Sequence, residues 1–413
     1  MREEAHAARR RRLDPDAGAR HAAHLRPLNL DRVLTFAFDH PGPFTRAEVI
    51  AATGLSAPTV GMLCSHLIRR GVVTDLGTGP SRGGRRPASM EFNVRHRFVA
   101  GVDIGPTKTR LAVADLRGEP LEERIVPTPT DRAPAALLGQ LAGELRRLSS
   151  DLQVPLRRLL AVTAGAPGVV DRDRGVVVAF APNLEGWSQV PMAKILRQLL
   201  GVPVAVENDV NLAVVGERWR GAARGHDTCA FIAVGTGIGA GVVVNGELYH
   251  GRRYMAGEIA LMCMGPQYVH TDFGARGCLE TLTGLKAIAA RWTQHHRVNG
   301  DGWVRTLFDA AKNGNKAARK IVDDTATLIG IAAANVGVVL DPSLIALGGA
   351  LFAQAPELVD DVRRVVSRIV PTPSAIVLSE LDEQAPLYGS LLVATMDARQ
   401  RLRQQLRADV LSD

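Results

Sequence analysis

The chain has 413 residues, 46% of them apolar and 22% charged. That is too long for one ordinary hydrophobic core and too apolar for a mainly disordered or fibrous polymer. The formal charge of +8 is concentrated: residues 1–97 hold sixteen arginines and no lysine against nine acidic residues, and the rest is nearly neutral. A basic module, of the kind that meets polyanions, therefore precedes a neutral one. Four cysteines (Cys64, Cys229, Cys263, Cys278) do not make a disulfide framework, so a reducing cytoplasm is the expected compartment. The Arg-rich N-terminus lacks the apolar stretch of a secretory signal. The most apolar segment, Ile329 to Ala353, is broken by Asn335, Asp341 and Pro342, so no membrane span is expected.

In chain order, residues 1–26 carry Arg9 to Arg12 and little apolar periodicity, and read as a disordered basic arm. Residues 27–96 read as a DNA-binding domain. Leu30, Val33, Leu34 and Phe36 to Phe38 fit the apolar face of a first helix, ended by His40-Pro41-Gly42-Pro43. Thr45 and Glu48 form a capping box for a second helix, and Gly54 suits a left-handed C-terminal position. Ser56 then caps a third helix with Pro58 in its first turn and Val60, Leu63, Leu67 and Ile68 on one face. Two helices joined by a short Gly-containing turn make a helix-turn-helix. Its third helix would present Ser56, Ala57, Thr59 and Gly61 to the major groove, with Arg46 at the start of the second helix as a further contact. Strands at Val72 to Thr74 and Ala88 to Phe92 would form a wing. Arg82, Arg85 and Arg86, on a flexible Gly-Gly backbone between them, suit a narrow minor groove.

The large domain, residues 97–413, opens with an apolar strand, Phe98 to Ile104, that closes on Asp103 and Gly105. Thr107 and a second strand, Leu111 to Ala114, follow. Such a hairpin can bring Asp103, the Thr107 hydroxyl and the open backbone at Gly105 to a phosphate or metal. Phe231 to Val244 repeats the theme with Gly235, Thr236, Gly237 and Gly239 in its turn, and Asn245-Gly246 then makes a hairpin. Two such hairpins suggest a duplicated fold with a nucleotide cleft between its halves.

These hairpins stand in an ordered series of motifs. Asp103 to Lys108 is followed by Gly165-Ala166-Pro167-Gly168, Asn183 to Trp187, and Glu207-Asn208-Asp209-Val210-Asn211. Gly235 to Gly241, Ala256-Gly257-Glu258-Ile259, Gly277-Cys278-Leu279-Glu280 and Ile345 to Gly349 complete it. Over roughly residues 28–397 the chain resembles the ROK family (repressors, open reading frames and kinases), with the winged helix of its regulator branch. The resemblance implies an α+β / α/β architecture: an N-terminal winged helix-turn-helix followed by a duplicated actin-like ATPase domain of the ROK sugar-kinase type. It also implies that Asp209 is the base toward a sugar 6-hydroxyl if the chain is a kinase, and that Asn208, Glu258 and Glu280 hold other hydroxyls. On the residues alone, Asp209 could equally cap a helix and Glu258 be a surface charge.

The departures from the family pattern matter more. Pro106 replaces the second glycine of the first phosphate loop and removes an N–H donor. Leu261 replaces a histidine that in the family touches both sugar and zinc. Thr271 and Phe273 stand where two zinc-binding cysteines belong, leaving Cys278 alone, so the expectation is no metal and no cofactor. A rearranged loop gathering Cys263, His270, Asp272 and Cys278 is the one alternative. Packing of Leu261, Met262, Met264 and Phe273 would then have to order the loop in place of zinc. The sequence thus reads as a DNA-binding transcriptional regulator of carbohydrate-related genes, built on a retired sugar-kinase fold. Its expected partners are a double-stranded DNA operator, a sugar or sugar-phosphate effector and a second copy of itself as dimer or tetramer, with no membrane. The alternatives are an active ATP-dependent sugar kinase that also binds DNA and a ligand-independent DNA-binding scaffold.

Overall fold

The computed structural model describes residues 15–77, 88–128, 133–179, 186–294 and 302–412. They form two compact units, one ending at His96 and completed by residues from Ala398 onward, the other running from Arg97 to Asp397.

The first unit opens with helix α1, Pro15–Asp39. The expectation of a disordered arm up to residue 26 is corrected from Pro15 onward, while residues 1–14 lie outside the described residues. Ala17, Ala19, Ala22 and Ala23 are strong helix formers, and Pro15 is tolerated in a first turn, so the helix extends well before its apolar face begins. That face buries Leu30, Val33, Leu34, Ala37 and Phe38. Strand β1, Phe44–Thr45, leads into α2, Arg46–Thr53. The capping box is made: Glu48 N–H donates to Thr45 Oγ1 at 3.3 Å and Thr45 N–H to Glu48 Oε2 at 2.7 Å. Gly54, at φ +69°, closes α2 in the left-handed region. Ser56 caps α3, Ala57–Arg69, which meets α2 at a bend of 119°. Val60, Leu63, Cys64 and Leu67 are buried at helical spacing, each large side chain contributing about 1.5–3 kcal/mol. Strands β2, Val73–Gly77, and β3, Ser89–Phe92, pair antiparallel, and β1 adds to the other side of β3. Two residues are too few to show a period, and β1 went unseen in the sequence. Arg82, Arg85 and Arg86 lie outside the described residues.

The second unit contains two sheets of like topology. The first begins with β4, Phe98–Ile104, β5, Lys108–Ala114, and β6, Pro120–Pro127, paired antiparallel. Helix α4, Pro134–Asp151, leads to β7, Leu159–Ala166, parallel to β4. A small hairpin of β8, Val169–Asp171, and β9, Val176–Ala179, precedes α5, Met192–Leu200, and β10, Val204–Asn208. The order is β10-β7-β4-β5-β6. Helix α6, Asp209–Arg220, crosses to β11, Cys229–Val234, β12, Ile238–Val244, and β13, Glu247–Leu248. Asn245 and Gly246, both at positive φ, turn the last pair. Helices α7, Gly277–Thr283, α8, Leu285–Thr293, α9, Trp303–Lys312, and α10, Lys316–Leu340, come before β14, Leu344–Gly348. Helices α11, Ala350–Gln354, and α12, Leu358–Ile369, precede β15, Ala375–Leu378. The order β13-β12-β11-β14-β15 repeats the first sheet: a hairpin leads and two parallel strands follow. β4, β7 and β14, with helices over the sheets, are almost wholly buried and read as continuous apolar runs.

Helix α10 is long and apolar enough to cross a membrane by length and composition. Ile321, Val322, Ala326, Ile329 and Ala333 are nevertheless buried in the core around the second sheet, the behaviour of a core helix. Helix α13, Ala385–Ser412, closes the chain. The sequence reading placed all of residues 97–413 in the large domain, yet Ala398 onward groups with the first unit. There Leu402, Leu406 and Val410 are buried, Arg403 Nη2 donates to Thr35 Oγ1 at 2.9 Å, and Arg407 pairs with Asp31 of α1.

Candidate functional site

Within the second unit, every residue singled out for phosphate or sugar contact lines one cavity of about 330 Å³. Asp103, Gly105 and Thr107 come from the β4–β5 hairpin; Asn208 and Asp209 from the start of α6; Gly235, Thr236, Gly237 and Gly239 from the β11–β12 turn; and Glu258 and Glu280 from the segment that follows. Local close packing explains why glycines stand where they do. A Cβ on Gly105 would sit 2.6 Å from the Lys108 carbonyl, and one on Gly257, at φ +89°, would sit 1.8 Å from the Ala240 carbonyl. Gly257 thereby carries Glu258 tight against β12, and its carbonyl accepts the Ala240 N–H at 2.8 Å.

The helix cap expected as an alternative at Asp209 belongs to its neighbour. Asn208 Oδ1 accepts the Asn211 N–H at 2.9 Å, while its Nδ2 donates to the Gly168 carbonyl at 3.0 Å. Asp209 is thus free of capping and faces the cavity. Burial pushes its carboxyl up to about 6 against the lowering effect of the Val210 N–H. Burial and then the Asp209 and Glu383 charges lift Asp103 to about 7, with Arg110 opposing. Glu258 rises to about 7 through burial, Asp209 and Glu280. Glu280 is raised chiefly by burial, and its Oε2 accepts the Ile238 N–H at 3.0 Å. Carboxyls poised near neutrality can both donate to and accept from hydroxyl groups, and Asp209 has the pKa of a serviceable general base.

Sequence reasoning missed two features because they join distant residues. Arg110, Asp382 and Glu383 also line the cavity. Behind its wall, Glu207, buried, holds His250 Nε2 at 2.8 Å with one oxygen and accepts from Asn208 N–H and Asn211 Nδ2 with the other. No local pattern marks His250; only proximity in the fold does.

The family zinc does not fit the residues present. Cys278 is buried and its Sγ accepts the Met264 N–H at 3.4 Å, whereas Cys263, His270 and Asp272 are exposed. Among the described residues no three His, Cys, Asp or Glu are placed together to hold a metal. Apolar contacts order the segment instead: Met262 and Met264 pack on the core, and Phe273 meets Tyr268 edge-on with ring centroids 5.9 Å apart. Leu261 is half-buried.

In the first unit, Ser56 and Ala57 are exposed at the start of α3, and Thr59 and Gly61 are half-buried. The Ser56 and Thr59 hydroxyls lie 2.8 Å apart. Met62, 44% exposed, joins this face and was not foreseen. Arg46 is half-buried, and its Nε is buried without a hydrogen-bond partner. Ser56, Ala57, Pro58 and Met62 are therefore the exposed side chains over the first turns of α3.

The ROK family profile matches residues 99–396. A xylose repressor from Caldicellulosiruptor bescii is 25% identical over 370 residues, 86% of this chain and 92% of that protein. A glucokinase from Thermotoga maritima is 30% identical over 308 residues, 71% of this chain and 95% of the enzyme. A crystal structure of a ROK family transcriptional regulator, a homolog of the E. coli MLC protein, superposes with a TM-score of 0.74 at 21% identity, covering 94% of this chain and all of that one. With two like sheets around a glycine-lined cleft and a family match over most of its length, this chain belongs to the ROK family.

Proposed function

We propose that the protein is a sequence-specific DNA-binding transcriptional regulator, acting as a repressor of carbohydrate-related genes. The observation that carries this reading is the bent α2–α3 pair that precedes the ROK domain, in a chain of which 86% matches a xylose repressor. In this reading the first unit is a winged helix-turn-helix with α3 as its recognition helix. Small exposed residues at the α3 N-terminus allow close approach to base edges. The cleft is the sensor for a sugar effector, and two copies related by two-fold symmetry bind a palindromic operator. Catalysis and metal are no part of this reading: Leu261 and Pro106 remove groups a kinase of this pattern uses, and the residues near Cys278 assemble no metal site. Fluorescence anisotropy on promoter fragments tests it, with Ala57→Glu expected to weaken specific binding by at least about tenfold. Binding unchanged by that substitution would remove α3 from the interface.

The gathering of Asn208, Asp209, Glu258 and Glu280 in one cavity favours a second reading, an ATP-dependent sugar kinase that also binds DNA. Incubation with ATP, Mg²⁺ and a hexose panel separates the two. Turnover that Asp209→Asn abolishes would establish the kinase.

A further inference from the structure

Lys108 and Arg110 are the only cationic side chains among the described residues lining the cavity. Both donate to the same atom, Glu383 Oε2, at 2.5 Å each. The position of that carboxylate is built into the fold. Glu217, fully buried near the end of α6, accepts the N–H groups of Glu380 and Leu381 and the Ser379 hydroxyl. Asp382, with its backbone at φ +47°, donates its N–H to Ser379 Oγ at 2.8 Å, so the turn that carries Glu383 is pinned from below. Burial alone would raise the Glu383 carboxyl, but the Lys108 and Arg110 charges outweigh it and hold it below the usual carboxylate range.

The same cavity presents Asp103, Asp209, Glu258, Glu280 and Asp382. A phosphoryl group reaching the hairpin would have to compete with Glu383 for both cations, one carboxylate shared between two positive charges, among further carboxyl groups. A hydroxyl would find acceptors, and no charge to repel it. We propose that Glu383 is a built-in anion for the Lys108–Arg110 pair, closing the phosphate position so that the cleft accepts an uncharged polyol and refuses phosphorylated ligands. This rests on the reading of the cleft as the effector site and narrows the effector to unphosphorylated sugars.

Calorimetric titration of the full chain with pyrophosphate tests the clamp without knowledge of the effector. Wild-type protein is expected to show no binding. Glu383→Gln and Glu383→Ser should each bind at least about tenfold more tightly than wild type, through charge-assisted hydrogen bonds released to the ligand. The gain should fall with added salt and vanish in Glu383→Gln combined with Lys108→Met. Melting curves confirm that each variant is folded. Pyrophosphate binding equal in wild type and both variants, present or absent, would overturn the clamp. Titration of wild type with xylose, glucose and their phosphates completes the test. Binding of a free sugar alone supports the proposal, whereas a phosphate bound as tightly as its free sugar overturns it. A clamp demonstrated by pyrophosphate in a chain that binds no sugar would instead remove the sensor reading beneath it.

Discussion

Glu258 shows how a single residue reports on the cleft. Its folded pKa of about 7 lies above the ordinary carboxylate value, so the folded chain holds a proton there that the unfolded chain releases. The stability this contributes is present at pH below the unfolded value, and it is lost as pH rises through about 7. Asp103 and Asp209 act in the same sense. Thermal melts between pH 5 and about 8 should therefore show wild type losing stability with rising pH more steeply than Glu258→Gln. Equal slopes would contradict a protonated, buried Glu258. Gly257→Ala should cost roughly 3 kcal/mol in urea unfolding, since the added Cβ meets a carbonyl in a left-handed backbone. Gly225→Ala, with open space around it at φ +80°, should cost only about 1 kcal/mol. At this scale the sequence was informative where chemistry is local. Thr45, Glu48, Gly54 and Ser56 declare their roles within four residues, and the motif order brought Asp103, Asp209, Glu258 and Glu280 into one site. The Glu383 contact spans 275 positions and the His250–Glu207 contact spans 43, so neither leaves a local trace.

Among the elements, α3 and its flanking hairpin hold the clearest expectations. Thr45→Ala should lower the stability of the first unit by about 1 kcal/mol through loss of the α2 cap. Replacing Arg82, Arg85 and Arg86 with alanine should weaken operator binding and reduce the slope of log K against log salt by about 2–3, one phosphate charge for each arginine. An unchanged slope would remove the wing from the backbone contact. Helix α13 was the element least legible in advance. Its residues 398–412 read as the tail of the large domain, whereas Arg403, Arg407 and Asp409 pair with Thr35, Asp31 and Arg70 of the first unit. The start of α1 leaves little trace for a related reason: its alanines carry helix propensity without an apolar stripe.

For the whole molecule, the charge distribution separates two tasks. The basic N-terminal module suits a polyanion, and the nearly neutral remainder encloses a cleft rich in carboxylates. A ligand in that cleft alters DNA affinity only by favouring one of two conformations of the chain. The duplicated sheets were legible because two glycine-rich hairpins repeat over a hundred residues apart, and the packing of Met262, Met264 and Phe273 was expected from their apolar character, whereas the strand orders required the fold. The decisive measurement is equilibrium binding of the full chain to promoter DNA, with and without unphosphorylated sugars, for wild type and Asp209→Asn. Specific binding that a free sugar loosens in wild type, and leaves unaltered in Asp209→Asn, is the expected result. Sequence-independent binding, or an operator complex that no sugar disturbs in wild type, would contradict a sugar-sensing repressor.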